Sequence, residues 1–210
     1  MKFTIRPALP SDIPSIVALD ISANKETSAL ITMQLLSPAD LTAFFTTRYS
    51  NYLAFPARYQ YLVATTPDDK IAGFLVGVAP KREDDATEPM PVLPDDEGVK
   101  KLLAWFFGES ARDKKLYFTE NMWQLESLQV SPEFQRRGVG SLLLAKWFTE
   151  VDASEGTTFV RASAKGRGLY QRFGWVQQGI WSLDVSAWGR DEPIINYNMV
   201  RKAAKEQVSA

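Results

Sequence analysis

Hydrophobic positions along the chain repeat with two periods, and the switches between them mark out its elements. Lys2 to Arg6 alternates, with Phe3 and Ile5 on one side, and predicts a short strand. Ser11-Asp12 then opens a helix whose apolar stripe is Ile13, Ile16, Val17 and Leu19. Residues 22 to 36 are mixed and read as a loop or a broken helix. Ser37-Pro38-Ala39-Asp40 starts the next helix: Ser37 can cap, Pro38 suits the first turn, and Asp40 complements the positive helix end. That helix runs to about Leu53. Tyr59–Thr65 and Ile71–Ala79 predict two strands joined by the turn Pro67-Asp68-Asp69-Lys70.

Pro80 to Gly98 breaks the pattern with four Pro and seven acidic residues and reads as a loop insertion. A helix is expected across Val99–Phe107. Trp123–Val130 is apolar on both faces, as a central strand should be, and Ser131-Pro132-Glu133 ends it. The helix after it, from about Gly138 to Val151, has Val139, Leu142, Leu143, Trp147 and Val151 on one side. Thr157–Ala162 is a further strand, Gly166–Phe173 a short helix closed by Gly174, and Trp175–Val185 and Ile194–Val200 the last strands. Interleaved strands and helices predict an α/β or α+β sheet with helices on both faces. The 210 residues suit one domain, 1–210, carrying the 80–98 insertion.

Composition narrows the chemistry. The chain has no Cys and no His. Ser-His-Asp and Cys-His machinery, disulfides and Cys/His zinc sites are therefore excluded within one chain. An enzyme built from these residues must use carboxylate, Tyr, Lys or water as acid and base, and no metal is expected. With 24 basic and 25 acidic residues there is no global positive field to draw nucleic acid. No apolar run approaches a membrane span or a signal peptide. The expectation is a soluble, cytoplasmic protein, with the nucleus also compatible.

The segment richest in chemistry is Leu128-Gln129-Val130-Ser131-Pro132-Glu133-Phe134-Gln135-Arg136-Arg137-Gly138-Val139-Gly140-Ser141. It is a strand, a turn, two arginines, two glycines one residue apart and an amphipathic helix. A helix start offers unpaired N–H groups and partial positive charge. Glycine there lets a phosphate reach the backbone, and Arg136 and Arg137 can add charge-assisted hydrogen bonds. A Walker loop is absent, and a dinucleotide fingerprint would need a third Gly where Leu143 stands. The Gly-x-Gly alone reads equally well as a plain helix start with solvated arginines.

The whole arrangement is more specific. Gln135-Arg136-Arg137-Gly138-Val139-Gly140 after Val130-Ser131-Pro132-Glu133 resembles the acetyl-CoA motif of the GCN5-related N-acetyltransferase (GNAT) family. Phe3-Thr4-Ile5-Arg6-Pro7-Ala8 with Ser11-Asp12-Ile13 resembles that family's first strand and helix. Leu169-Tyr170-Gln171-Arg172-Phe173-Gly174-Trp175 resembles its Leu-Tyr-x-x-x-Gly-Phe segment. The resemblance implies a mixed, mostly antiparallel sheet of six or seven strands, splayed between strands 4 and 5. It implies that N–H groups from Arg136 to Ser141 bind the pyrophosphate of acetyl-CoA. The backbone of Leu128, Gln129 and Val130 would bind the pantetheine arm, with the N–H near Val130 polarising the thioester carbonyl. Ser163 stands where the family often has Asn and would still donate a hydrogen bond to the coenzyme; Arg172, with Lys165 and Arg167, lies near the expected path of the 3′-phosphate.

Tyr170 is the candidate general acid for the departing thiolate and Glu126 the candidate base. Strand alternation would put Glu126 on the face of residues 124, 128 and 130. There, among Leu125, Leu128 and Trp123, a carboxylate would resist ionisation, as suits a base. Water could replace it in that role. The acidic stretch Glu83–Glu97 invites a cationic acceptor but reads more simply as a solvated loop. Trp105, Phe106, Phe107 and Trp123 could line an acceptor pocket, though core is their commoner place. The leading reading is an acetyl-CoA N-acetyltransferase acting on a small amine or peptide in a ternary complex. A homodimer is compatible with it. The alternatives are an acyl-CoA-binding sensor that lost the chemistry and a nucleotide-binding protein using the same loop.

Overall fold

The computed structural model describes residues 2–23, 36–82, 95–188 and 191–203. Among these residues, seven strands make one sheet in the order β1-β2-β3-β4-β5-β7-β6: β1 (Thr4–Pro7), β2 (Tyr59–Thr65), β3 (Ile71–Val78), β4 (Trp123–Val130), β5 (Thr158–Ser163), β6 (Val176–Leu183) and β7 (Ile194–Arg201). Neighbours are antiparallel except β4 and β5, which run parallel. The mixed, mostly antiparallel sheet expected from the sequence is present.

Among the described residues, three helices lie on one face: α1 (Ile13–Ala23), α2 (Pro38–Ala54) and α3 (Glu97–Lys114). Their apolar stripes meet β2 and β3 in a core that includes Ile16, Tyr49, Val63, Phe74 and Leu103. The other face carries α4 (Val139–Ala153) and α5 (Ala164–Arg172). Leu143, Leu144, Trp147 and Val151 of α4 are fully buried there. Leu142, expected on that stripe, is 44% exposed, and Leu144 takes its place. Gly77 makes room for α4, since a Cβ on it would lie 2.0 Å from Trp147 Nε1.

Helix α2 begins as the sequence predicts, with the Ser37 hydroxyl accepting from the Asp40 N–H at 3.1 Å. Helix α3 is longer than the expected 99–107. Asp96 caps it, accepting from the Val99 N–H at 2.8 Å, and it runs seven residues past Phe107. That extension is polar, so apolar periodicity could not reveal it. It is anchored from β5 instead, where Arg161 pairs with Asp113 at 2.7 Å. The stretch 22–36 and the proposed insertion fall largely on residues 24–35 and 83–94, outside the described residues.

One irregularity sets up the site. β4 and β5 pair only through Trp123–Leu125 and Thr158–Val160. Beyond Leu125 the two strands splay apart, although β4 stays bonded to β3 as far as Val130. At the same point the β3–β4 register skips: Val76 faces Ser127 and Gly77 faces Leu125, leaving Glu126 as the extra residue of a bulge.

Candidate active site at the splayed strands

The end of β4 is half-buried from Glu126 to Val130 because β5 no longer covers it. The ladder fixes where its backbone points. The Ser131 N–H bonds the Ala72 carbonyl at 2.9 Å. By the alternation of an antiparallel pair, Gln129 then exchanges bonds with Phe74, while Leu128 and Val130 turn their N–H and C=O groups into the splay. Leu128 and Val130 are thus placed to meet a strand-like ligand, and Gln129, expected to share that role, is turned towards β3. The Gln135 side chain lies against the Val130 carbonyl, with Nε2 at 3.3 Å.

The chain then turns through Pro132–Phe134 and reaches α4 by way of two left-handed residues, Arg136 at φ 61 and Gly138 at φ 86. Gly138 sits at the N-cap and no side chain caps the helix. The first N–H groups of α4, on Val139, Gly140 and Ser141, therefore stand at an uncapped, positive helix end, while Leu142 N–H bonds the Gly138 carbonyl at 3.0 Å. Gln135 to Gly138 are exposed, and a Cβ on Gly138 would meet nothing within 4 Å. The start of α4 is therefore open at Gly138. The two glycines, however, have different tasks. Gly140 is buried, and its Cβ would lie 3.1 Å from Leu169 Cδ2. Its missing side chain seats α4 against α5 and does not face an anion.

Tyr170, on α5, is buried beside Trp175, with ring centroids 5.4 Å apart in an edge-on pair. A Cβ on Gly166 would sit 3.0 Å from the Tyr170 ring. Burial raises the phenol pKa, so the hydroxyl keeps its proton well beyond neutral pH. Ser163 is the N-cap of α5, accepting from the Gly166 N–H at 3.2 Å. Its own O–H hydrogen remains available to donate. Arg172 and Lys165 are exposed on α5, and the Arg167 guanidinium lies 4.5 Å from the centre of the Tyr197 ring.

The structure corrects the expected setting of Glu126. Leu128 and Val130 lie in the same core as Trp123 and Leu125, so the alternation changes phase at the bulge. Glu126 projects from the opposite face, towards α2 and α3. Its surroundings are polar and cationic, not apolar. Arg48 of α2 donates to Oε1, and Gln124 donates to Oε2. Arg48 Nε also donates to Tyr52 Oη at 2.7 Å, and Tyr52 Oη lies 3.4 Å from Glu126 Oε1. Burial works against the charge of Arg48, but Tyr52 and then Glu126 more than offset it and raise its pKa well above the ordinary value. Sequence reasoning missed Arg48, Tyr52, Gln124 and Lys114, which surround the candidate base. The i,i+4 spacing of Arg48 and Tyr52 marked one helix face, but nothing in the sequence tied it to β4.

The aromatics considered for an acceptor pocket lie elsewhere. Trp123 is buried against Trp147 on the α4 face. Trp105 and Phe106 pack with Trp181 and Leu183, and Phe107 is 44% exposed. A cleft of about 830 Å³ lies at the other end of β4, beside Met122, Trp123 and Gly156, far from the splay. Among the described residues, no three carboxylates stand together as a metal site, and no helix is long and apolar enough to cross a membrane.

Residues 114–180 match the family model described as Acetyltransferase (GNAT) domain. No curated protein sequence matches the chain. Solved structures are similar in fold. One is a histone acetyltransferase HPA2 and related acetyltransferase from Corynebacterium glutamicum, with 20% identity, TM-score 0.64, and 97% of this chain and 98% of that one covered. A second is a phosphinothricin acetyltransferase from Sinorhizobium meliloti in complex with AcCoA, with 16% identity, TM-score 0.63 and coverage of 98% and 90%. A third is the PaiA N-acetyltransferase of Thermoplasma acidophilum in complex with coenzyme A, with 13% identity, TM-score 0.56 and coverage of 96% and 99%. The family resemblance read from the sequence is borne out by that family match over 114–180, and the fold it implied by these structures.

Proposed function

We propose that this chain, a protein of the GNAT fold with an acetyltransferase-domain segment at 114–180, is an acetyl-CoA-dependent N-acetyltransferase of a small amine or peptide. The observation that carries the proposal is the pairing of an uncapped, left-handed helix entry at Gly138 with a strand splay that begins at Glu126. The first suits a diphosphate and the second a pantetheine arm. Structures of this fold with coenzyme A or AcCoA bound support the same reading.

Acetyl-CoA would supply the activated acetyl thioester. Val139, Gly140 and Ser141 would hold its diphosphate through their N–H groups, with Arg136 and Arg137 contributing charge. Leu128 and Val130 would bind the arm along the open edge of β4, Gln135 yielding the Val130 carbonyl. The Val130 N–H would stabilise negative charge developing on the thioester oxygen. Ser163 would add a hydrogen bond, and Arg172 a charge towards the 3′-phosphate. Glu126 would accept a proton from the acceptor ammonium. As the C–N bond forms and the C–S bond breaks, Tyr170 gives its proton to the departing sulfur. The nitrogen gives up two protons in all: one leaves through Glu126 to solvent, and the other restores Tyr170. With no Cys in the chain, transfer is direct and not through an acyl-cysteine.

The test is release of free CoA from acetyl-CoA across a panel of amines, beside calorimetric titration with CoA, ATP and NAD. The proposal expects CoA binding and amine-dependent release. Binding of CoA with no release for any amine would favour a sensor, and preference for ATP or NAD a nucleotide-binding protein.

A further inference from the structure

On the face opposite the α4 entry, charged and polar side chains, those of α2 and α3 among them, gather around Glu126 at the splay. They are Arg48 and Tyr52 from α2, Asp113 and Lys114 from α3, Arg161 from β5, Gln124 and Glu126 from β4, and Arg58 from the loop before β2. The two carboxylates of this group are already matched, and a third, Asp20 of α1, accepts from the Tyr49 hydroxyl at 2.6 Å. Glu126 is paired with Arg48. Asp113 is paired with Arg161 at 2.7 Å and accepts from Asn198 Nδ2 at 2.7 Å. Arg161 is further fixed by Ser110 Oγ at 2.5 Å, by Asn198 Oδ1 at 3.1 Å, and by the Trp181 ring 4.3 Å away.

Lys114 has no such match among the described residues. Its ammonium donates to Gln124 Oε1 and lies 4.0 Å from the centre of the Phe118 ring. Among the described residues, no carboxylate stands within ion-pair reach of it. Desolvation lowers its pKa; Glu126 opposes this, and Arg161 and Arg58 add to it. A partly buried cation next to other cations is the setting an incoming anion relieves. The separation is also informative. One Gln124 side-chain amide bridges Lys114 and Glu126. With ordinary hydrogen bonds at each end, the ammonium and the carboxylate are roughly 8 Å apart at most.

We infer that the acceptor is a short amino acid, its amine delivered to Glu126 and its carboxylate held by Lys114. One or two carbons between nitrogen and carboxylate fit that span. The inference rests on the transferase reading of the same site and gives it a substrate class. Among the described residues, Lys114 adds unmatched positive charge beside Glu126, which opposes the cationic acceptor that the acidic stretch at 83–97 invited.

The test uses matched acceptors on the full chain: alanine against alaninamide, and β-alanine against propylamine, read as kcat/KM for CoA release. Wild type is expected to favour the carboxylate-bearing member of each pair by roughly 10- to 100-fold, the worth of one charge-assisted hydrogen bond. K114M should erase that preference by raising KM for the acids, and K114R should retain part of it. CoA titration of each variant establishes that it is folded. Equal turnover of both members by wild type, or a preference that survives in K114M, overturns the inference and leaves the transferase reading standing. No release with any of these four while other amines are turned over overturns the inference alone, and no release with any amine of the panel, despite CoA binding, overturns the transferase reading and the inference with it.

Discussion

Replacing Gly138 by alanine disturbs the proposed diphosphate site at one backbone position. Gly138 holds φ at 86, and its missing Cβ faces open space. The cost of G138A is therefore conformational and involves no clash inside the protein. A left-handed L-residue costs about 1–2 kcal/mol. In a chain of 210 residues each kcal/mol moves the melting temperature by about 2–4 °C, so a fall of about 2–8 °C is expected. If the loop relaxes instead, the N–H groups of Val139 to Ser141 are re-aimed. Loss of one charge-assisted hydrogen bond then weakens CoA roughly 10- to 100-fold. The assays are scanning calorimetry and isothermal titration with CoA. G138N separates the two effects, since Asn tolerates the left-handed region and should recover most of the stability. G140A is the contrasting variant. Its Cβ would press on Leu169 Cδ2 at 3.1 Å, the end of a flexible side chain, while gaining about 0.5–1 kcal/mol of helix preference. Its melting temperature should stay within about 2 °C of wild type. Wild-type stability and CoA affinity in G138A, or a larger affinity loss in G140A, would refute the division of tasks between these glycines.

Three further outcomes follow from the same structure. Y170F should slow CoA release roughly ten- to a thousandfold while leaving CoA affinity nearly unchanged; equal loss of both would mean that the tyrosine only supports the fold. Burial raises the phenol pKa of Tyr49, Tyr61 and Tyr170 above the ordinary 10.0. Their stabilisation is complete below pH 10, and above it the unfolded chain sheds protons that the native state keeps. Stability should then fall by about 1.4 kcal/mol per pH unit for each. Tyrosinate absorbance from these three should appear only together with loss of the circular-dichroism signal, and their titration near pH 10 in a folded protein would contradict this. G77A drives a Cβ to 2.0 Å from the fully buried Trp147 ring and should cost at least about 1–3 kcal/mol, read as a lowered denaturation midpoint with an unchanged slope.

What the sequence disclosed follows from how local each cause is. The strand Trp123–Val130, the Ser37 cap and the Gly174 helix stop are written in neighbouring residues, and the structure has all three. The loop from Gln135 to Gly138 was legible for the same reason, as a short run of Arg and Gly ahead of a helix. The setting of Glu126 was not, because alternation assumes an unbroken ladder, and a bulge depends on the pairing of β4 with β3. Glu126 is paired with Arg48, 78 residues away, and its neighbour Gln124 with Lys114 of a helix extension whose polar residues carry no period. Gly140 shares the Gly-x-Gly run with Gly138, and sequence alone does not tell their tasks apart. Only the packing of α5 reveals Leu169 behind it.

The most direct test of the central claim is a crystal structure with coenzyme A bound. The account predicts diphosphate oxygens about 2.7–3.2 Å from main-chain nitrogens between Gly138 and Ser141, with the arm running along Leu128 and Val130 into the splay. A diphosphate bound away from the start of α4, with the β4–β5 opening empty, would contradict it.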